Sequence, residues 1–592
     1  MLELHHELNL RLAVSGGVDS MALATMYSSA RRKHRSLPEC HGIIVDHKSR
    51  PGSSEEAEWV KEQLLSRLSI TRFELRDWLT AVLVFQAVFQ RVGIHSTIVP
   101  LTWPEVLDVN GVGNPRNEND VAPNFESQAR KLRFQALGGL CRDKGIKNLM
   151  LAHHRDDQAE TVLSRLINWN WRAGLQAIVP VNDIPECDGM HGIHQSGSIM
   201  HTLTSLPMLL EKGGVRVLRP LLGFDKDQLI ATCKKYNVPW TEDETNQDPT
   251  LTERNAIRHV LRHHKLPAAI CKDSLISLSK RMQERITSHK DHAEDLFNRC
   301  PLQVNLQTGS LSVRLPPVQS LLDRPIVSES DKHYARNTAC ILLKRIATLV
   351  SPDTPELSRF DIVTETFYPT LTPSTVGVGN DWSRNCVTLT TGKVAFTATR
   401  ISHPSVSLEA SADETGCDLF LRRQPVSRRD VEKLYITIPP SDHDPTAGNT
   451  WHLWDGRYWI RVQNHGKEPL IIRLFQPGDH DRLVKDDRHL VRAMLRITQN
   501  PQFGHQFPGI YRMDEDGRET LLALPSFNLT LEPIHKTKDT PMNFDIRYKQ
   551  VDLGVRAPEE VIVKGITRSH NNKETSRLLA EQKRQNKRGK TK

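Results

Sequence analysis

The run Ser15-Gly16-Gly17-Val18-Asp19-Ser20 constrains this chain more than any other stretch. It follows the apolar segment Leu10–Val14, interrupted by Arg11, and precedes Met21-Ala22-Leu23-Ala24. A buried strand, a Gly-rich turn and a helix in that order aim unpaired backbone N–H groups at one point, an arrangement that binds phosphate. Gly16 and Gly17 tolerate backbone angles closed to other residues and let a phosphate approach the main chain. Ser15 and Ser20 add hydroxyl donors. Asp19 beside a phosphate implies a cation between them, and Mg²⁺ suits that role. No Gly-Lys-Ser/Thr follows, so this is not the loop that moves a terminal phosphoryl group. The plain alternative is an ordinary strand-to-helix turn.

The segments that follow alternate between the two regular periods. A helix from about Ser20 to Arg32 precedes a second strand at His41–Val45, which ends in Asp46-His47-Lys48-Ser49-Arg50. Ser54-Glu55-Glu56 caps a helix to about Leu68. His95–Leu101 is a third strand and Asn148–Ala152 a fourth, with a helical pattern over Phe125–Lys144 between them. Strands alternating with helices predict a doubly wound parallel α/β sheet with ligands at the carboxyl ends of its strands. The opening loop, Asp46-His47 and His153-His154 all fall at such ends. Two stretches interrupt the pattern. Thr71–Val92 reads as an extra amphipathic helix. Pro185–Gly214, rich in Gly, His and Ser, reads as a solvated loop, because His191, His194 and His201 lack accompanying metal ligands.

Helical patterns continue at Lys226–Tyr236, Arg254–His264, Ser274–Phe297 and Tyr334–Leu349. From about Val387 the period becomes that of strands, as at Tyr458–Val462, Leu470–Arg473 and Thr520–Leu524. These patterns divide the chain into an α/β domain over 1–225, a helical region over 226–354, a β-rich domain over 355–565 and a basic tail over 566–592. Length permits this: 592 residues build two to four domains. The formal charge of +9 suits an anionic partner, nucleic acid first. The nine cysteines form no C-x-x-C pair, against a disulfide framework or zinc module. No apolar run reaches the ~18 residues of a membrane span.

A second informative stretch is Leu149 to Thr161. A buried strand delivers His153, His154, Asp156 and Asp157 to its end and then enters a helix, where Asp157 shares a face with Glu160 and Thr161. Histidine with a carboxylate orients a substrate or holds a cation-linked phosphate; helix-capping acids beside a packed histidine would give the same pattern.

Together these stretches carry a resemblance. Ser15–Ser20 matches the SGGxDS signature of the PP-loop ATP pyrophosphatases, and within them the chain resembles the tRNA(Ile)-lysidine synthetase family. The further matching segments are Val45–Arg50, Glu126–Phe134, Ala152–Thr161 and Arg219–Arg258, the last with Trp240, Asp243–Asn246 and Arg254-Asn255-x-Ile257-Arg258. The likeness spans about residues 9–262. Lys48-Ser49 stand where the family commonly has glycine and an apolar residue, and Phe134 replaces the more usual tyrosine.

The resemblance implies ATP and Mg²⁺ as cofactors, and free lysine and an isoleucine tRNA with a CAU anticodon as partners. Ser15, Gly16, Gly17, Val18, Asp19, Ser20 and Asp46 would bind ATP, with Asp19 on Mg²⁺. Asp157 would steer the lysine ammonium or take its proton, and His153 would position phosphates or the base. Arg254 joins Asp19, His153 and Asp157 as catalytic. Arg130 and Arg133 would stabilise the adenylate or grip RNA, and Glu160 and Arg258 are assigned to substrate or tRNA. The rival readings are a 2-thiolating PP-loop enzyme and an inactive RNA-binding relative. The expected location is mitochondrial, without a clear transit peptide.

Overall fold

The structure is a computed structural model that describes residues 10–48, 52–65, 94–103, 125–197, 199–202, 209–242, 252–371, 386–399, 416–440, 449–497, 506–513, 517–531, 542–549 and 562–563. The expected helix at 71–92, Ser49-Arg50, Asp243–Asn246 and the basic tail lie outside them. The chain forms two compact units, 1–198 with 213–287, and 199–212 with 288–592.

In the first unit the strands are β1 (Leu10–Val14), β2 (Cys40–Asp46), β3 (Ser96–Pro100), β4 (Asn148–Met150), β5 (Val181–Asp183) and β8 (Arg216–Leu218). They lie in the order β3-β2-β1-β4-β8-β5. All neighbouring pairs are parallel except β5, which runs antiparallel to β8. Alternation along each strand sends side chains to opposite faces. Leu10, Leu12, Val14, Ile44 and Met150 pack beneath α1 (Val18–Lys33), α2 (Ser53–Leu65) and α5 (Lys226–Lys235). Ile43, Leu149 and Leu151 face α3 (Phe125–Asp143) through Phe134, Leu137 and Cys141. A helical layer joins α4 (Arg155–Ile167), α6 (Glu253–His263) and the start of α7 (Lys272–Arg299) through Ala159, Val162, Leu261, Leu275 and Ile276.

Two expectations are corrected. Pro185–Gly214 is not one solvated loop. Cys187, Ile193 and Ser196 are fully buried, because the 185–197 segment folds back over α3 and closes the core there. The next part forms a hairpin of β6 (Ile199–Thr202) and β7 (Leu209–Lys212) that belongs to the second unit, where β7 pairs in parallel with the strand Met542–Tyr548. The domain limits also shift. The first unit keeps α5 and α6 and ends within α7, and strands begin at β9 (Leu302–Asn305), well before 355. Short apolar runs such as Leu302–Val304 between long helices carry too little periodicity to announce a strand.

The second unit packs the end of α7 and α8 (Glu329–Thr348) with three sheets around one core that includes Phe297, Leu343, Phe396, Trp454 and Tyr458.

Candidate active site

Gly16 has φ +86°, and a Cβ there would stand 2.5 Å from Val60 Cγ2. Glycine is therefore required both by backbone angle and by the approach of α2. The Gly16 carbonyl accepts the Thr241 amide at 3.0 Å. Gly17 is the N-cap of α1 and no side chain caps that end. The first-turn amides of α1 and the positive end of its dipole are thus left for an anion. Ser20 Oγ donates to the Gly17 carbonyl at 2.9 Å and accepts from the Ser15 amide at 3.2 Å, so the serines close the loop on itself.

Asp19 lies in the first turn of α1. Its Oδ1 is buried with no hydrogen-bond partner. Its Oδ2 lies 3.5 Å from His154 Nε2 and 3.8 Å from Lys226 Nζ. Among the described residues no group of three or more His, Cys, Asp or Glu side chains is placed to hold a metal. An orphaned carboxylate oxygen beside a phosphate loop suits a small hard cation that arrives with a phosphate and keeps most of its waters, rather than an all-protein cage.

His154 facing Asp19 is the N-cap of α4. In the neutral ring its Nδ1 accepts the Asp156 amide at 3.2 Å, and the Asp157 carboxylate takes the His154 amide at 3.0 Å. Burial opposes charge on this ring, but Asp156, Asp19 and Asp157 outweigh it and raise its pKa to about 9. The charged ring donates toward Asp156 Oδ2, 3.4 Å from Nδ1.

His153 behaves oppositely. Burial and the guanidinium groups of Arg219, Arg254 and Arg130 overcome the pull of Asp157 and lower its pKa to about 4. Arg219 Nε donates to His153 Nδ1 at 3.2 Å, so the neutral ring carries its proton on Nε2. Arg219 is held in turn by the Val179 carbonyl at 2.9 Å and by Asn182.

Arg254 bonds Asp157 through one nitrogen and donates Nε to Glu160 Oε2 at 3.0 Å. Arg258 reaches the other Glu160 oxygen at 2.8 Å. Glu160 is buried between the two guanidinium groups. It and Arg258 therefore fix Arg254 rather than project toward a substrate. Burial would raise the Asp157 pKa, yet His154 and Arg254 hold it below the usual carboxylate range. Arg130 pairs with Glu186 at 3.2 Å, and both Arg130 and Arg133 lie over the Phe134 ring. Asp46 is committed to the β2–α2 turn: its carboxylate accepts Ser53 Oγ at 2.6 Å, Ser54 Oγ at 2.7 Å and the Lys48 amide at 3.1 Å.

Sequence reasoning missed Lys226 and Lys272. Lys226 opens α5, and its amide holds Asp156 Oδ2 at 2.9 Å. Lys272 opens α7, donates to Asp156 Oδ1 at 2.6 Å and pairs with Asp225. The available signal was Asp225 followed by Gln228, a capping box that fixes where α5 starts.

The family description PP-loop domain matches residues 2–81 and 109–265. The probable tRNA(Ile)-lysidine synthase of Schizosaccharomyces pombe is 26% identical over 525 residues, which is 88% of this chain and 91% of that protein. The tRNA(Ile)-lysidine synthase of Wolbachia from Brugia malayi is 28% identical over 335 residues, 55% of this chain and 60% of its own. That of a Bradyrhizobium strain is 30% identical over 243 residues, 41% of this chain and 49% of its own. The chain thus spans most of the fungal relative and between 49% and 60% of these two bacterial ones. With its parallel sheet and its glycine loop, the chain carries a PP-loop domain, and over most of its length it is similar to a fungal tRNA(Ile)-lysidine synthase.

Proposed function

We propose that the protein joins free lysine to C2 of the wobble cytidine of a CAU-anticodon isoleucine tRNA, consuming ATP and releasing pyrophosphate and AMP. The observation that carries this reading is the meeting of the two informative stretches. Asp19 of the glycine loop stands 3.5 Å from His154, which caps the helix bearing Asp157 and Glu160.

The cytosine 2-oxo oxygen attacks the α-phosphorus of ATP, and the bond to the β-phosphate oxygen breaks. The amide-like oxygen, a very poor leaving group, becomes an AMP ester. The ε-ammonium of lysine gives up a proton to solvent, the resulting amine adds at C2, the C2–O bond breaks, and AMP leaves with the former 2-oxo oxygen. The loop amides and Ser15 and Ser20 hold the β- and γ-phosphates, which depart together. Asp19, whose Oδ1 is buried without a partner, would hold a Mg²⁺ ion arriving with the triphosphate, and that ion would supply charge neutralisation for the departing pyrophosphate.

Asp157 stays ionised, so it binds the lysine ammonium and orients it. A carboxylate below its usual range is too weak a base to hold a proton from a group whose free pKa is ~10.4. His153, neutral with its proton on Nε2, donates to a phosphate or base oxygen. Arg254, half-exposed and anchored by Glu160, presents positive charge where the adenylate forms. Asp46 serves the nucleotide indirectly, by holding the start of α2, whose Val60 packs on Gly16. Burial pushes the Cys40 and Cys141 thiols up to about 12, which leaves neither as a ready nucleophile for 2-thiolation. RNA binding and a mitochondrial location belong to the same proposal. The eukaryotic relative matches most of the chain and the others cited are bacterial; fractionation of cells expressing the full chain checks the location.

The test is incubation of the purified protein with ATP, labelled lysine and CAU-anticodon tRNA. Lysine enters the RNA with release of AMP and pyrophosphate. ATP-dependent RNA modification without lysine incorporation would overturn the reading.

A further inference from the structure

Beyond α4 the chain reads Ile167-Asn168-Trp169-Asn170-Trp171. Ile167 is 53%, Trp169 78% and Trp171 57% exposed. Single exposed apolar residues are ordinary, but a contiguous patch with two indoles marks a contact surface. The rings are stacked, with centroids 5.3 Å apart and planes 20° from parallel. Trp169 has φ +56°, a left-handed conformation that a bulky side chain adopts only when its surroundings impose it.

Those surroundings are identifiable. The Asn168 amide bonds the Ser164 carbonyl, and the Asn170 amide bonds the Arg165 carbonyl, each at 2.9 Å. Asn168 Nδ2 donates to Glu253 Oε1 at 2.8 Å, tying the turn to the first residue of α6. Downstream, the Gln176 carbonyl accepts Ser279 Oγ at 2.9 Å and Gln283 Nε2 at 2.7 Å, both from α7. A pinned backbone thus presents two indoles to solvent when burying them would have been stabilising.

We propose that Trp169 and Trp171 form a stacking platform for an unpaired RNA base next to the one that reacts. The inference rests on the function proposed above and deepens it. A base that undergoes chemistry must leave its stack. Its unpaired neighbours then need a face to stack on, and aromatic side chains supply one. Distance agrees: ten residues of α4 separate Asp157 from Ile167, about 15 Å at the helical rise, against roughly 3.4 Å per stacked base. That is a reach of a few nucleotides, within one loop. Charge agrees as well. Arg165 is exposed on α4, one turn before Trp169. Phosphates flanking a stacked base would meet positive charge there. Asn170 between the rings and Asn168 before them interrupt the apolar surface, which suits a nucleotide edge better than a protein core.

The experiment measures binding of a CAU anticodon stem-loop RNA to the full chain at fixed salt. Trp169→Leu and Trp171→Leu keep apolar bulk but remove the ring; Trp169→Phe and Trp171→Phe keep a ring. Each Leu variant should bind roughly 5- to 100-fold more weakly, the range of one base–aromatic stack, with the Phe variants close to wild type. The KM for ATP and for lysine and the melting temperature should not move. A series of RNAs, each abasic at one loop position outside the target, should contain one on which wild type and Leu variants bind alike. The platform is overturned if the Leu variants bind the intact loop as wild type does, if their deficit persists on every abasic RNA, or if they alter self-association instead. Lysine incorporation by the wild type, measured alongside, judges the function separately; the binding series decides the platform either way.

Discussion

Each unit holds a cluster of arginine and carboxylate, and the two are built differently. In the second unit Arg423 grips Asp455 with Nε at 3.2 Å and a terminal nitrogen at 3.1 Å, while Arg457 Nε reaches the same carboxylate at 2.9 Å. Spare donors go to carbonyls of Gln424, Thr308 and Gln506. All three side chains are at most 4% exposed. Gly456 completes the turn at φ +60°, where a Cβ would strike the Pro352 carbonyl. This cluster is closed: every charge is paired within the protein, and its role is to hold strands together. In the first unit Asp157, Glu160, Arg254 and Arg258 make a similar chain of pairs, but Arg254 remains 44% exposed and Asp19 beside it keeps an oxygen without a partner. Unmet electrostatic demand, not charge density, separates a site that awaits a ligand from one that is finished.

Substitutions sharpen that contrast. Asp19→Ala should give the largest effect, a loss of at least about 1,000-fold in tRNA-dependent pyrophosphate release, by removing the open ligand and an electrostatic partner at once. Retained release at the wild-type rate would break the assignment. Asp157→Asn keeps an oxygen to cap α4 but loses the charge. Single-turnover assays should show near-normal ATP binding, and lysine transfer slowed roughly 100-fold or more because the amine is no longer oriented. In the closed cluster Asp455→Ala strands two buried arginines and should cost about 3–5 kcal/mol by denaturant unfolding. Activity per folded molecule should stay unchanged. A loss of kcat with normal stability would refute the division into open and closed clusters.

The smallest effect is in pH. His153 has a pKa of about 4 in the fold against ~6.5 unfolded. Between those values the unfolded chain binds the extra proton, so stability from this group is complete above pH ~6.5 and drains away as pH falls toward 4. His153→Asn removes the titration. The gap in melting temperature between wild type and variant should therefore narrow on acidification through this window; a constant gap would contradict the neutral ring.

The catalytic half was legible because its chemistry sits where regular structure changes. Glycines at 16 and 17, acids and histidines at 46–47 and 153–157, and alternating strands and helices all speak through local sequence. The arrangement of charge was not. Nothing local distinguishes His153 from His154, yet one is hemmed by arginines and the other by carboxylates brought from 19, 156 and 157. Lys226 looked like an ordinary helix-start residue and Lys272 stood outside the expected helix at 274–297, until their helices met at Asp156. The hairpin at 199–212 was hidden because its partner strand lies more than three hundred residues later, at Arg547–Tyr548. The platform was hidden for another reason: tryptophan usually signals a core, and only the fold shows these two facing outward.

The central claim is that the open cluster first adenylates the RNA and only then admits lysine. It is tested most directly by mixing the protein with ATP labelled at the α-phosphate and CAU-anticodon tRNA, omitting lysine, and trapping the RNA by acid quench. The account predicts label on the RNA with wild type and with Asp157→Asn, none with Asp19→Ala, and discharge of the wild-type label as AMP when lysine is added. RNA that stays unlabelled with wild type, while lysine incorporation proceeds in parallel, would contradict it.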